Sequence, residues 1–166
     1  MKNFNKLKEW FKSLSTIKKI VLIAGSLILL IIIGNANKPK ADEILPKTIG
    51  NWTYEKSKVM GGLKISIHYE LTVNKEGNEY LYSCKETVID EYSGGVPRSN
   101  NYSGKLGEIY KTGEYNSKPE WGIKLLGGEF GDKNCYIALG SECEIKRYMY
   151  INFPKGKGDQ LHFKKN

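Results

Sequence analysis

The chain has 166 residues, which is enough for one domain of about 100–150 residues and a short N-terminal appendage. Its net charge is +8, but residues 1–40 carry +7 of this charge and residues 41–166 carry only +1. A nucleic-acid-binding protein needs a concentrated basic face on its folded domain, so this distribution argues against a nucleic-acid partner. The basic residues are nearly all lysines, which is typical of an AT-rich bacterial genome.

Residues 1–19 are predicted to form a basic amphipathic cytoplasmic tail. Apolar side chains recur among lysines at three- and four-residue intervals, at Phe4, Leu7, Trp10, Phe11, Leu14 and Ile17. A helix with this pattern lies in the headgroup layer of a membrane, where anionic lipids attract its lysines. We interpret it as a juxtamembrane helix that steadies an anchor; a docking helix for a membrane partner is the alternative.

Residues 20–36 are predicted to be a transmembrane helix or signal anchor. The uncharged run between Lys19 and Lys38 spans about 27 Å as a helix, close to the roughly 30 Å hydrocarbon core. The lysines before it predict that the N-terminus stays inside and that the C-terminal domain is periplasmic or extracellular. A cleaved signal peptide is the alternative, because the strictly apolar part is short and Gly34 and Ala36 suit a cleavage site. Both interpretations make membrane lipid a partner of residues 1–36 and export the remainder.

The remainder is predicted to be a linker over 37–46 and an all-β domain over 47–166. The clearest strand is 63–73, where apolar residues alternate with polar ones as on a half-buried strand. Further strands are predicted over 51–55, 79–91, 105–112, 121–126, 135–139, 144–153 and 160–164. About eight short strands separated by Gly, Asn, Ser and Pro predict an antiparallel barrel or a two-sheet sandwich.

Gly50-Asn51-Trp52 opens the first predicted strand of this domain. The opening resembles the G-x-W start of the lipocalin-like (calycin) small β-barrels. The resemblance implies that Trp52 closes one end of the barrel and packs against a basic side chain from the last strand. Lys164 and Lys165 are the candidates for this contact, and Arg147 is a weaker one.

The same resemblance implies a pocket for a small apolar ligand. The residues that we name for such a pocket are Trp52, Ile65, Ile67, Tyr80 and Tyr82. The T-D-x-x-Y motif of the family is absent, because Asp90-Glu91-Tyr92 does not have that pattern. The family match therefore depends on the G-x-W motif alone.

Three cysteines are an odd number for an oxidising compartment, where pairs are expected. If residues 135–139 and 141–153 form a hairpin that turns through Ala138-Leu139-Gly140, Cys135 and Cys143 face each other and can form a disulfide. A pair that involves Cys84, or three free thiols, are the alternatives. A nucleophilic cysteine is not expected, because no histidine lies at a recognisable spacing.

The sequence predicts no catalytic residue, metal site or cofactor. Ser66, His68 and Glu70 share one face of a strand, but same-face neighbours lie about 7 Å apart, beyond the roughly 3 Å reach of a hydrogen-bonded triad. Residues 127–134 are rich in glycine and oxygen ligands but lack the spacing of a calcium loop. His68 and His162 are isolated and do not make a zinc signature.

We therefore expect a membrane-anchored, non-enzymatic binding or interaction module of the cell envelope, with an envelope protein as its partner. A lipocalin-like carrier of a small apolar ligand is the first alternative, and a small envelope hydrolase is the second. One cavity lined by the five pocket residues would favour the carrier, and a filled core with an exposed apolar patch would favour a protein partner. Convergence of His68 or His162 on a carboxylate and a hydroxyl in a cleft would favour the enzyme.

Overall fold

The structure is a computed structural model that describes residues 2–36, 38–140, 143, 145, 147–153 and 160–166, with the side chains of 2–7 and 30–36 left out. It divides into two compact units, Met1–Lys38 and Pro39–Asn166.

The first unit consists of helices α1 (Lys2–Ser13) and α2 (Thr16–Ala36). Large apolar side chains on α2 are exposed, at Ile17, Ile20, Val21, Leu22, Ile23, Leu27, Ile28 and Leu29. Phe4 and Leu7 of the predicted amphipathic stripe lie outside the described side chains. Within the described part of the chain, no helix combines the length and the apolar character that crossing a membrane requires.

The second unit is a closed antiparallel barrel, and its eight strands pair in chain order with β8 returning to β1. The strands are β1 (Gly50–Met60), β2 (Leu63–Glu76), β3 (Glu79–Asp90), β4 (Arg98–Tyr115), β5 (Lys118–Leu126), β6 (Tyr136–Gly140), β7 (Tyr148–Asn152) and β8 (Leu161–Lys165). Helix α3 (Ala41–Thr48) precedes the barrel, and the short helix α4 (Gly128–Asp132) joins β5 to β6. The predicted all-β fold class is confirmed, and the barrel is the alternative that the chain adopts.

Tight turns set the register of the long hairpins. Gly61 and Gly62 both have positive φ, and Met60 pairs with Leu63 across them. Asn116 and Ser117 make the same kind of turn between β4 and β5. Two central residues with positive φ match the twist of the flanking strands, so these turns fix which face of each strand is buried.

Helix α3 corrects the predicted linker, because residues 41–46 are helical and pack into the barrel unit. Ile44 belongs to the hydrophobic core, and Thr48 is fully buried. Trp52 Nε1 donates a hydrogen bond of 2.9 Å to the carbonyl of Thr48. The helix has only eight residues and contains Pro46, so it is too short to give a clear helical period in the sequence.

The barrel is longer on one side than on the other. Where the structure describes the chain, β8 pairs with β1 at Trp52 and Thr53, and β5 pairs with β4 from Lys105 onward. Among the described residues, segments 54–60, 63–69, 86–90 and 98–101 therefore extend past their neighbours as a four-stranded sheet. We call these four segments the flare.

Candidate functional site

The end of the barrel opposite the flare is closed by Trp52. Its side chain is fully buried, and Lys165 Nζ lies 5.0 Å from the centre of its ring. Of the basic residues named for this contact, Lys165 is the one that makes it. Gly50 allows the approach, because a Cβ on its positive-φ backbone would lie 3.0 Å from Lys165 Cε.

The inner face of β2 becomes more exposed toward the flare. Val73 and Leu71 are almost fully buried, Tyr69 and Ile67 are half-buried, and Leu63 is 39% exposed. These residues alternate along one strand and so share one face. The gradient shows that the barrel is filled at the Trp52 end and open to solvent at the flare.

Three rows of side chains cross the inner face of the flare. Directly paired residues of an antiparallel sheet point to the same side, so the register places each row on the inner face. The rows are Tyr54–Tyr69–Glu86–Asn100, Lys56–Ile67–Val88–Arg98 and Lys58–Ile65–Asp90. The first row forms the floor, and the second places an apolar centre between two cationic residues.

Glu86 is held at the floor by three donors. Tyr69 donates a hydrogen bond of 2.5 Å to Oε1, while Tyr102 and Asn100 donate to Oε2, the latter at 3.1 Å. Burial raises the pKa of Glu86, but the three hydrogen bonds and the charge of Lys133 outweigh it and hold the pKa below its usual range. Burial and the bonds to Glu86 raise the pKa of both tyrosines. The floor therefore holds a carboxylate between neutral phenols.

Aromatic rings fill the space beneath this floor. Tyr54 and Tyr69 stack at 6.0 Å between ring centres, and both lie about 6 Å from the buried ring of Phe163. Tyr102 packs at 5.5 Å from Phe130, a buried residue of α4. Such pairs stabilise the packing beyond the area that they bury, so the floor rests on a packed aromatic layer.

The residues named for a ligand pocket are not brought together. Trp52, Tyr80 and Tyr82 are buried in the core, whereas Ile65 and Ile67 lie on the flare. Ile65 pairs with Lys58, six residues beyond Trp52 on β1, which is about 20 Å at 3.3 Å per residue. These five residues also do not share one cavity among those lined by the described residues. Tyr82 borders a groove of about 570 Å³, and Ile67 borders a different groove of about 420 Å³.

His68 lies in that second groove together with Ser57 and Ser66. Its Nδ1 is 3.0 Å from Glu55 Oε1 without hydrogen-bond geometry, and its Nε2 is 3.6 Å from Glu70 Oε1. A catalytic base needs one ring nitrogen on a carboxylate and the other on the nucleophile. Here both nitrogens face carboxylates, so His68 does not have the two partners of a catalytic base.

The hairpin register predicted for the cysteines is wrong. Ala138 pairs with Tyr150, so Gly140 ends β6 and does not turn directly into β7. Cys135 precedes β6 and Cys143 follows it, so the five extended residues of β6 separate them. Five extended residues span about 16 Å, whereas a disulfide tolerates roughly 7 Å between Cα atoms. All three cysteines are free thiols in the structure. The Cys135–Cys143 disulfide therefore stays a prediction, although the hairpin register that suggested it is not the one observed.

Residues 127–134 form α4 and its flanks, in the connection between β5 and β6. Lys133 and Glu129 form an ion pair there, one turn apart. Among the residues that the structure describes, no group of three or more His, Cys, Asp or Glu side chains is placed to hold a metal ion.

Comparison with protein family models, with curated proteins and with solved structures gives no match. The class of the domain is therefore defined by its own geometry, as a closed eight-stranded antiparallel barrel with one filled end and one flared end. The lipocalin-like resemblance continues to depend on Gly50-Asn51-Trp52. Sequence reasoning missed Glu86, although its alternation with Tyr82 and Cys84 places a charged residue at an inward position, which is a signal of function.

Proposed function

We propose that the chain is a membrane-tethered, non-enzymatic interaction module of the cell envelope, and that its flare receives a segment of another envelope protein. The observation that carries this proposal is the combination of a filled core with an exposed apolar surface at the flare. Leu63 is 39% and Met60 49% exposed at its tip, and Ile65, Ile67 and Val88 are half-buried below them. A contiguous apolar surface of this kind is typical of interaction sites.

The charges around this surface favour a particular partner chemistry. Lys56 and Arg98 lie at the two ends of the row that has Ile67 and Val88 at its centre. A partner segment that presents an apolar side chain next to an acidic one complements the apolar centre of this row and Arg98. Electrostatic attraction of this kind steers encounter and fixes register more than it adds affinity.

The tether is the part of the proposal that belongs to residues 1–36. The exposed apolar side chains of α2 and the lysines before them support contact with membrane lipid, with the N-terminus inside and the barrel on the outer side. Intact mass of the mature chain from the membrane fraction tests it. A chain that retains residues 1–36 and sediments with membranes supports the tether, and a soluble chain beginning near Asn37 overturns it.

A photo-crosslinking amino acid at position 63 tests the flare in intact cells. We expect one defined envelope protein to be captured from position 63 and not from position 115, an exposed tyrosine position on the β4–β5 hairpin. Ile67→Asp and Arg98→Glu should each abolish the capture while the unfolding temperature stays within a few degrees. Equal capture from both positions, or capture that survives both substitutions, overturns the proposal.

A small amphipathic ligand is the second candidate occupant, which keeps the lipocalin-like carrier as an alternative. The observation that favours it is the floor, where Tyr69, Tyr102 and Asn100 hold the carboxylate of Glu86 by hydrogen bonds. A preorganised polar group next to an apolar wall fixes the orientation of a small molecule. Native mass spectrometry of the chain released from its own membranes tests this candidate, since a bound small molecule lost in Ile67→Asp would support it.

A further inference from the structure

A second concave site lies on the outside of the barrel, away from the flare. It is a cavity of about 300 Å³ across β5, β6 and β7, with Ala138 and Gly140 among its lining residues. Gly122 pairs with Ala138 and allows two walls of the cavity to lie close together. A Cβ at position 122 would lie within 2.8 Å of both Tyr136 and Thr112. Small residues in the middle of a sheet face thus leave a depression between larger side chains.

Two tyrosines of β7 form one wall of this cavity. Tyr148 and Tyr150 are two residues apart and so share one strand face. Tyr150 stacks on His162 of β8 with 4.4 Å between ring centres and 20° between ring planes. Ala138 lies directly opposite Tyr150 on the other side. His162 therefore holds the ring while the small Ala138 leaves space beside it.

A row of polar side chains forms the end of the cavity. Gln160 Nε2 donates a hydrogen bond of 2.7 Å to Asn152 Oδ1, and Asn152 Nδ2 donates one of 3.3 Å to the hydroxyl of Tyr136. Glu120 and Thr112 contribute a carboxylate and a hydroxyl to the same cavity. The cavity thus combines aromatic rings with planar groups that both donate and accept hydrogen bonds.

We infer that this cavity, the tyrosine groove, binds a pyranose sugar, either free or at the end of a glycan chain. A sugar ring has a C–H face that packs on an aromatic ring and hydroxyls that donate to carboxylates and accept from amides. A wholly apolar ligand would bury the carboxylate of Glu120 without a hydrogen-bond partner, which is costly. A quaternary ammonium ion would use the rings and Glu120 but leave the row from Gln160 to Tyr136 unused. The volume is at the lower end of the range of about 300–1,000 Å³ for small-molecule sites, which suits one terminal sugar.

Saccharide titration of the full chain in nanodiscs tests this assignment, and glycoside detergents are avoided because they carry the same chemistry. The probes are N-acetylglucosamine, its trimer and maltotriose, followed by saturation-transfer NMR and calorimetry. We expect saturable binding of at least one probe with a Kd of about 1 mM or tighter. Ala138→Leu, which fills the cavity, and Tyr148→Ser, which removes a ring that is 44% exposed, should each raise the Kd at least about tenfold.

Tyr115→Ser is the matched control, because Tyr115 is an exposed tyrosine outside the groove. Its Kd should equal that of the parent chain. Tyr148 is on the surface, 44% exposed, and its ring packs on His162 at 4.8 Å between ring centres, so Tyr148→Ser disturbs the core less than Ala138→Leu and keeps the test decisive if the latter does not fold. The inference is overturned if no probe binds saturably up to about 10 mM, if Tyr148→Ser leaves the Kd unchanged, or if tetramethylammonium binds where the sugars do not.

Discussion

Lys165 lies over the buried ring of Trp52 and thereby joins the last strand of the barrel to the first. The backbone ladder between these strands is short in the described part of the chain, with register pairs at Trp52–Lys165 and Thr53–Lys164. Asn166 N adds one hydrogen bond of 3.0 Å to the carbonyl of Asn51. Barrel closure therefore depends on a few contacts at the filled end, and the cation over Trp52 is one of them.

Replacing Lys165 by Met should destabilise the barrel by about 0.5–1 kcal/mol, because the aliphatic chain is kept and the attraction of the ammonium group to the indole face is lost. Chemical denaturation of the full chain, followed by tryptophan fluorescence, measures the change. Lys164→Met is the control, since the adjacent lysine pairs with Thr53 and should change stability by less than about 0.5 kcal/mol. Equal effects of the two substitutions would contradict the role of Lys165.

The bonds to Glu86 predict a stability that falls in acid. The pKa of Glu86 is lower in the folded chain than in the unfolded one, so its contribution is present above about pH 4.3 and is lost as pH falls through the folded pKa. Tyr69 and Tyr102 have raised pKa values, so their contribution is present below about pH 10 and is lost at higher pH. Urea midpoints measured from pH 3 to pH 11 should therefore form a plateau with two falling sides.

Substitutions at Glu86 and Tyr102 test whether these hydrogen bonds, rather than other titrating groups, cause the pH dependence. Glu86→Gln should flatten part of the acid side, and Tyr102→Phe should raise the pKa of the Glu86 carboxyl, measured by its ¹³C chemical shift. The lost charged hydrogen bond should cost about 1 kcal/mol after allowance for partial exposure. Tyr115→Phe, at an exposed hairpin tip, is the control. An unchanged acid side in Glu86→Gln would show that other carboxylates cause the pH dependence.

Gly104 and Gly113 lie on the same strand and should respond differently to alanine. A Cβ at Gly104 would lie 2.1 Å from the carbonyl oxygen of Leu126, whereas one at Gly113 meets nothing closer than Glu120 Oε2 at 3.5 Å. Gly104→Ala must displace the backbone and should cost about 1–3 kcal/mol. Gly113→Ala should change stability by less than about 1 kcal/mol. Thermal unfolding of both variants checks the difference, and similar unfolding temperatures would contradict the close packing at Gly104.

Thiol accessibility should follow burial. Burial raises the pKa of Cys84 to about 12 and, against the charge of Lys133, that of Cys135 to about 11, so both are poor nucleophiles at neutral pH. Cys143 is only half-buried, and burial raises its pKa as well. With N-ethylmaleimide at pH 8 we expect Cys143 to react first and the other two only after unfolding, as seen in intact mass. Only one reactive thiol in the unfolded, unreduced chain would instead support a disulfide.

Much of the fold was predictable because the strands are strongly patterned. The alternation from Leu63 and the Gly61-Gly62 turn predicted β2 and its hairpin, and β2 continues to Glu76. The contact between Trp52 and a lysine of the last strand followed from the G-x-W resemblance. The apolar residues at alternating positions from Leu63 to Val73 were enough to indicate the inner face of β2.

The remaining features depend on contacts between distant residues. Seven residues separate Gly140, the end of β6, from Tyr148, the start of β7, so there was no two-residue turn from which to count the register of this pair. Residue 144, where the seventh strand was predicted to begin, lies outside the described residues, and β7 begins at Tyr148. The hydrogen bonds to Glu86 come from tyrosines on β2 and β4 that are up to 17 residues away. Alternation alone does not show which side chains of neighbouring strands will meet.

Helix α3 also determines how the barrel responds to tension along the chain. The chain enters the barrel at the end that Trp52 closes, and the flare is at the other end of β1. A pull on the residues before Pro39 therefore acts first on α3, which is held by the burial of Ile44 and Thr48 and by the hydrogen bond from Trp52. Peeling of α3 would uncover Trp52 while the β1–β2 hairpin stays paired. The helix is thus the first element of the barrel unit to bear such a pull, and it lies at the end away from the flare.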